Sequence, residues 1–368
     1  MKVNINRAAF AEAMGLITTV VPARTPKPIL RCILIIAEEK SVSLKATDLE
    51  AGIFYTIPQV QVEKAGEVII PADKLASVVR ESTDETLTLE ADEGACEITG
   101  SDSHYHIFGQ QAGSFPTVLA FDGQADMEVG LKTLQSGVAQ CLFATAKEST
   151  RYALNGVLWE IKVKKLSLIA TDGRRLAKSR ISLVETPSKK IEAAKIIVPA
   201  KALGLLERVS GSEKDAVKIK LVDNQILLSC GNVVISSNLV EGTFPKYEDI
   251  IPTDYDKKLH LSTEATLSAV RRAALLTSEE SRGVRLAVSK GKIVFSSRAP
   301  ETGDAQVQLP IDYKGEPIEI GFNPQFIIDA LRVMPEPEFD MEFGQPDRPA
   351  TMKCGKDFLY VLMPINLS

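Results

Sequence analysis

The sequence is poor in the residues that metal and redox chemistry need. Only three histidines occur in 368 residues, His104, His106 and His260. The first two, at i and i+2, share one face of a strand with no third ligand beside them, so a surface position is a better reading than a metal site. The five cysteines, Cys32, Cys96, Cys141, Cys230 and Cys354, lie tens of residues apart with no C-x-x-C pair. That spacing argues against zinc and against a disulfide framework, and predicts small buried hydrophobes. Phosphate-loop, dinucleotide, zinc-protease and serine-hydrolase signatures are all missing, so no catalytic centre, metal or cofactor is expected. Asp254-Tyr255-Asp256 stands next to Lys257 and Lys258 and reads as a solvated loop, because two-metal chemistry needs carboxylates on rigid elements. The longest apolar run, Cys32 to Ala37, is far short of the ~20 residues of a membrane span. Polar residues interrupt Met1-Lys2-Val3-Asn4-Ile5-Asn6-Arg7, so no signal peptide is read and a cytoplasmic protein is expected.

What is present is an ordinary globular balance: 45% hydrophobic and 25% charged residues with mean hydropathy +0.03. The length exceeds one ordinary hydrophobic core and predicts several domains. A net charge of -5 weighs against a protein that grips nucleic acid over its whole surface, while leaving room for a local basic lining.

Three landmarks recur at nearly constant spacing, which makes the chain a tandem repeat. An apolar strand runs into a proline and a short helix at Val68-Ile69-Ile70-Pro71-Ala72 and again at Ile196-Ile197-Val198-Pro199-Ala200, with a weaker echo at Ile318-Glu319-Ile320-Gly321-Phe322-Asn323. Thr47-Asp48-Leu49-Glu50 matches Thr171-Asp172-Gly173-Arg174, and Phe115-Pro116 matches Phe244-Pro245 and Met363-Pro364. Each third opens on a helical spacing: Phe10, Ala13, Met14, Ile17 and Val20; then Leu134, Val138, Cys141 and Leu142; then Leu267, Val270 and Ala274. A second helix follows each proline landmark, carrying Leu75, Val78 and Val79, then Leu203 and Leu206, then Phe326, Ala330 and Leu331. Short apolar runs such as 29–36, 156–161 and 283–288 predict strands. The fold class is therefore α+β, with modules at 1–122, 126–253 and 254–368.

Doubled arginines at Arg174-Arg175 and Arg271-Arg272 are solvated features when taken alone. Arg7, Lys74, Arg80, Lys132, Lys147, Lys201, Arg208, Arg271, Arg272 and Arg332 all fall on predicted helices, interspersed with Glu12, Asp73, Glu207 and Glu264. Basic groups on helices do not by themselves define a shared face. A non-catalytic three-repeat scaffold that never binds DNA, and a hydrolase using Asp48 or Asp172, are the rival readings.

Thr171 to Ala177, preceded by Arg151 to Gly156 and followed by Gly242-Thr243-Phe244-Pro245-Lys246-Tyr247, resembles the bacterial β sliding clamps, the processivity subunits of DNA polymerase III. The resemblance runs on through Ser281-Arg282-Gly283-Val284-Arg285-Leu286, Gly321-Phe322-Asn323 and Val361-Leu362-Met363-Pro364-Ile365. It implies a non-catalytic head-to-tail homodimer whose six modules make a ring, with helices inside and sheets outside. A module of ~120 residues is about 35 Å across, so six leave a hole of about 35 Å and three leave about 5 Å; a duplex of about 20 Å needs six. The resemblance assigns Arg24, Lys74, Tyr152, Lys201 and Arg208 to the duplex. It assigns Arg151, Leu154, Thr171, Gly173, Arg174, Arg175, Leu176, Pro245, Ile250, Asn323, Val361, Met363, Pro364 and Ile365 to a peptide pocket. Tyr105 and Ile107 are set against Leu275 and Leu276 at the closing interface. The partners it implies are double-stranded DNA, a second copy of the chain, the replicative polymerase, the clamp loader, and repair and translesion polymerases with short clamp-binding peptides. Glu148, Asp249 and Asn366 depart from the family pattern, the last two at positions often basic there.

Overall fold

The computed structural model describes the chain except residues 59, 93, 111, 148–151, 186–187, 189–190, 192, 278–282 and 367–368. Among the described residues the α-helices are α1 (Arg7–Ile17), α2 (Ala72–Glu81), α3 (Leu131–Leu142), α4 (Ala200–Leu206), α5 (Thr263–Ala273) and α6 (Pro324–Arg332). Three begin on a side-chain cap that satisfies an otherwise unpaired N–H. The Asn6 oxygen accepts from Ala9 at 3.0 Å, the Ser262 hydroxyl from Ala265 at 3.4 Å, and the Asn323 oxygen from Gln325 at 2.9 Å, with Pro324 as the first helical residue. Helix α2 starts directly from Pro71, whose ring holds φ at -54° without a side-chain cap.

Each third repeats one plan, the first with an extra strand, Val60–Lys64, after its first meander. A strand leads into a helix, a three-strand meander follows, a strand returns into the second helix, and a second meander closes the third. The chain divides into two compact units that cut through the middle third. The first holds Met1–Gln135, Leu183–Glu192 and Lys201–Leu239; the second holds Ser136–Ser182, Ala193–Ala200 and Val240–Ser368.

In the first unit a five-stranded sheet has the order Val60–Lys64, Lys2–Asn6, Thr86–Asp92, Ala95–Thr99, His104–Phe108. Its eight-stranded sheet runs Met127–Gly130, Ala216–Val222, Gln225–Cys230, Val233–Asn238, Ala51–Ile57, Val42–Thr47, Cys32–Ala37, Gly66–Pro71. The second unit contains an eight-stranded sheet in the order Lys195–Pro199, Gly156–Lys162, Lys165–Thr171, Arg175–Ser182, Phe358–Leu362, Ala350–Cys354, Glu338–Phe343, Lys257–Ser262. Its four-stranded sheet runs Gly303–Pro310, Lys292–Ala299, Val284–Ser289, Ile318–Phe322.

Both eight-stranded sheets are joined by the same rule. The last strand of one third pairs antiparallel with the outer strand of the preceding third's first meander, Ser236 opposite Gly52 in one case and Val361 opposite Leu176 in the other. Two strands of these same kinds stay at sheet edges: His104–Phe108, and Gly303–Pro310.

Predicted core positions Phe10, Ala13, Met14, Ile17, Leu75, Val79, Leu134, Val138, Leu203, Leu206, Val270 and Leu331 are buried, as are all five cysteines, which are free. Burial pushes the Cys96 thiol up to about 12, as expected of an inert core residue. Three local expectations fail. The run at 29–36 opens as a 3₁₀ turn, Pro28–Arg31, and the strand begins only at Cys32. Lys147 lies past the end of α3, and Arg208 lies just past α4, where the Arg208 and Val209 N–H groups bond back to Leu205 and Leu206. These two basic residues are therefore in turns rather than on helices.

Candidate peptide groove, duplex-facing residues and closing edges

All the described residues of the expected peptide pocket lie in the second unit. Thr171-Asp172-Gly173-Arg174 is a turn tied by its own side chains. The Thr171 hydroxyl donates to the Arg175 carbonyl at 2.6 Å and accepts from the Gly173 N–H at 3.1 Å. The Asp172 carboxylate accepts from the Arg174 and Arg175 N–H groups at 2.9 and 3.1 Å. Gly173 has φ 87°, a left-handed conformation that glycine adopts without a Cβ clash. The matching turn, Thr47 to Ala51, repeats these four bonds with Leu49 at φ 81°.

Arg175 is held inside the fold and is 9% exposed. Its Nε donates to Asp172 at 2.9 Å, one terminal nitrogen to Asp329 of α6 at 2.8 Å, and the other to the Phe143 carbonyl at 2.7 Å. The guanidinium also lies 4.3 Å from the Phe326 ring centroid. Its donors are thus engaged within the protein. Leu154, Thr171, Leu176 and Val361 are buried too. Leu176 and Val361 share an apolar cluster with Ala153, Ile197 and Tyr247, against which Phe244 packs.

The Tyr247 hydroxyl donates to Glu160 at 2.9 Å, and the Lys178 ammonium donates to that hydroxyl at 3.3 Å. Burial first, then Glu160, holds this phenol above its ordinary range. The bond fixes the 3₁₀ turn Tyr247–Ile250.

Gly173, Arg174, Ile250 and Met363 are exposed, while Pro245, Asn323, Pro364 and Ile365 are half-buried. The Met363 N–H donates to the Arg174 carbonyl at 3.0 Å and the Ile365 N–H to the Gly321 carbonyl at 2.8 Å. A cleft of about 740 Å³ is lined by residues 249–256, 344–345, 347–349 and Met363. A second cleft, of about 620 Å³, is lined by Arg285, residues 319–321, Pro346, Asp347 and residues 364–366. The structure therefore brings Ile250 and Met363 to one cleft and places Pro364 and Ile365 on the other; it adds Asp347 and Arg348, which no sequence pattern marks, and Tyr255, which the sequence reads only as part of a solvated loop. Asn323 caps α6. Arg151, Glu148, Ser281 and Arg282 lie outside the described residues.

Of the residues expected at the duplex, the four basic ones lie in the first unit and Tyr152 in the second. Arg24 is exposed in the loop after α1, and Lys74 is exposed on α2 with its ammonium 4.0 Å from Asp73. Lys201, on α4, is ion-paired with Asp48. Arg208 borders a cleft of about 360 Å³ with Glu12, Tyr55 and Asp215. Tyr152 opens a short 3₁₀ turn in the second unit and is 73% exposed.

On the edge strand His104–Phe108, Tyr105 is 36% exposed and Ile107 only 9%. The most exposed apolar side chain there is Phe108, at 79%, whose ring meets that of His106 edge-on at 5.0 Å. Sequence alternation passed over Phe108 because it falls on the opposite face from Tyr105 and Ile107. Leu275 is 77% exposed in the turn Ala274–Leu276, which packs against the edge strand Gly303–Pro310, and Leu276 is half-buried.

Comparison with known proteins bears on the whole length. Models of the DNA polymerase III beta subunit match in chain order: its N-terminal domain at residues 1–119, central domain at 128–246 and C-terminal domain at 248–366. The beta sliding clamp of Caulobacter vibrioides is 32% identical over 377 residues, covering all of both chains. The solved sliding clamp of Bartonella birtlesii, bound to griselimycin, is 34% identical with a TM-score of 0.90 over 100% of this chain and 99% of that one. The sliding clamp of Bacillus subtilis, at 25% identity, superimposes with a TM-score of 0.94 over all of both chains. On three successive domain matches and full-length identity above 30%, this chain belongs to the DNA polymerase III beta subunit family, the beta sliding clamps.

Proposed function

We propose that two copies of this chain close head to tail into a six-module ring, with boundaries near 122–126 and 253–254. The ring encircles duplex DNA and tethers the replicative polymerase to it. As a sliding clamp the chain is a processivity subunit without a catalytic role.

The observation that carries the ring is the joining rule of the sheets. Each third's last strand pairs with the outer meander strand of the third before it, and the only members of that series left at an edge are His104–Phe108 and Gly303–Pro310. Pairing these between copies continues the rule and consumes both edges, a heterologous head-to-tail contact that closes on itself. Tyr105, Ile107, Phe108, Leu275 and Leu276 supply its apolar contact.

Arg24, Lys74, Tyr152, Lys201 and Arg208 serve the duplex. Retention comes from topology, so a few phosphate contacts suffice, giving weak, salt-sensitive and sequence-independent affinity compatible with sliding. The clefts on either side of residues 363–366 receive short peptides from the polymerase, the clamp loader, and repair and translesion polymerases. Leu176, Val361 and Tyr247 pack in the core cluster beneath this junction, and Arg175 braces it from inside. No helix among the described residues is long and apolar enough to cross a membrane, which is compatible with work in the cytoplasm.

The test is retention on circular against linearised duplex in the presence of a clamp loader. A ring stays on the circle and runs off the linear form. A scaffold that never encircles DNA shows no difference between them.

A further inference from the structure

The groove beside Met363 has a charge character of its own. Three of the large apolar side chains that the protein leaves more than a third exposed, Ile250, Tyr255 and Met363, converge on it. The residues bordering them include four aspartates and one arginine, Arg348. Of the aspartates, Asp256 is answered by Lys257, whose ammonium lies 2.8 Å from both carboxylate oxygens. Asp249, Asp254 and Asp347 are exposed and have no ion pair among the described residues. Lys353 reaches the Tyr255 ring, 4.9 Å from its centroid, but its charge is met by Glu342 at 2.5 Å. Among the residues lining this cleft, three aspartates without an ion pair thus stand against one arginine; Arg174, whose carbonyl accepts from the Met363 N–H, is exposed and adds a second positive charge outside the lining.

We propose that the partner segments this groove accepts carry a lysine or arginine beside their aliphatic or aromatic anchor, and that acidic flanks are rejected. The inference rests on the peptide-pocket reading above. The anchor buries against Met363 and Ile250, which supplies affinity. The basic flank meets the rim, which supplies selection and a faster encounter. Exposed charges are screened, so each contact changes affinity only about two- to fivefold, and the preference is a sum over the rim.

Three fluorescent peptides with one anchor and flanks of Lys-Lys, Ser-Ser or Glu-Glu, titrated against the full-length protein, decide the matter. At about 0.05 M salt the Lys-Lys peptide binds roughly tenfold tighter than the Glu-Glu peptide, and the ratio falls below about twofold at about 0.5 M. The triple variant Asp249→Asn, Asp254→Asn, Asp347→Asn brings the ratio of Lys-Lys to Glu-Glu affinity to about one. Equal affinities for the three peptides, or a ratio that persists in the triple variant, overturn charge selection and leave the pocket standing. Failure of the Ser-Ser peptide to bind overturns the pocket itself, and this proposal with it.

Discussion

Ring closure gives the sharpest quantitative test, because its residues are free to be changed without harm to the fold of one chain. Leu275 is 77% exposed, so Leu275→Ser removes almost no packing within the protomer. Full burial of a leucine contributes about 1.5 to 3 kcal/mol. The exposed share of Leu275 is then worth about 1 to 2 kcal/mol at one interface. A two-membered ring has two identical interfaces, so complete separation loses the contact twice, about 2 to 4 kcal/mol. That raises the dimer dissociation constant roughly thirty- to a thousandfold. Phe108→Ser, at 79% exposure, acts from the other side of the same contact with a comparable loss. Sedimentation velocity over a dilution series reads the constant directly, and circular dichroism confirms that the half-ring is folded. An unchanged dissociation constant for both variants would show that the two sheet edges do not meet, and would remove the argument from edge strands.

On the duplex side, Arg208→Ala should lower the slope of log affinity against log salt by about 1 with no change in base preference. Lys201→Ala should lower it by less, since Asp48 already neutralises that ammonium; binding measured on two unrelated sequences at four salt concentrations checks both. Arg175→Met leaves Asp172 and Asp329 without their cation and the Phe143 carbonyl without this donor and should cost about 3 kcal/mol of stability in urea unfolding. An unshifted midpoint would refute its role as a brace. Met363→Ala should weaken a neutral anchor peptide about thirtyfold while dimerisation and retention on circular DNA persist, as read by fluorescence titration. Hydrogen bonds to Asp340 and Glu338 raise the His260 pKa above its ordinary 6.5. Its contribution to stability is therefore fully present below about pH 6.5 and fades as pH rises through the raised value. His260→Gln should remove that segment of the stability-pH curve, and an unchanged curve would count against the pairing.

The repeat, the six helices and their buried faces were legible because their signals are local: helical spacing, a proline at a helix start, and a Thr-Asp turn. What stayed hidden was non-local. Nothing in Arg174-Arg175 distinguishes the first, exposed, from the second, closed in by Asp329 from 154 positions away. Phe108 went unnoticed for a related reason, since alternation identifies a face but cannot say that a strand lies at an edge. Apolar Ile29 and Leu30 suggest a strand from 29 onward, but the Leu30 N–H bonds back to the Lys27 carbonyl at 3.1 Å, closing a turn that composition does not reveal.

The proposed peptide groove lies at one of two sheet junctions that share a backbone and differ in side chains. Their backbones match: Asn238 donates to the Glu50 carbonyl at 3.0 Å just as Met363 donates to the Arg174 carbonyl, also at 3.0 Å. Their side chains do not. Where the second junction has Leu176 opposite Val361, the first has Gly52 opposite Ser236. A Cβ at Gly52 would meet the Ser236 hydroxyl at 2.9 Å and a Val118 methyl at 3.0 Å, so the space is already filled. The residue in the place of Met363 is a polar asparagine, whose amide donates to the Leu49 carbonyl at 3.3 Å. Paired apolar residues, exposed methionine and glycine turn occur together only at the second of these junctions, so the repeated fold supplies the geometry and a handful of side chains single out the junction proposed as the binding site.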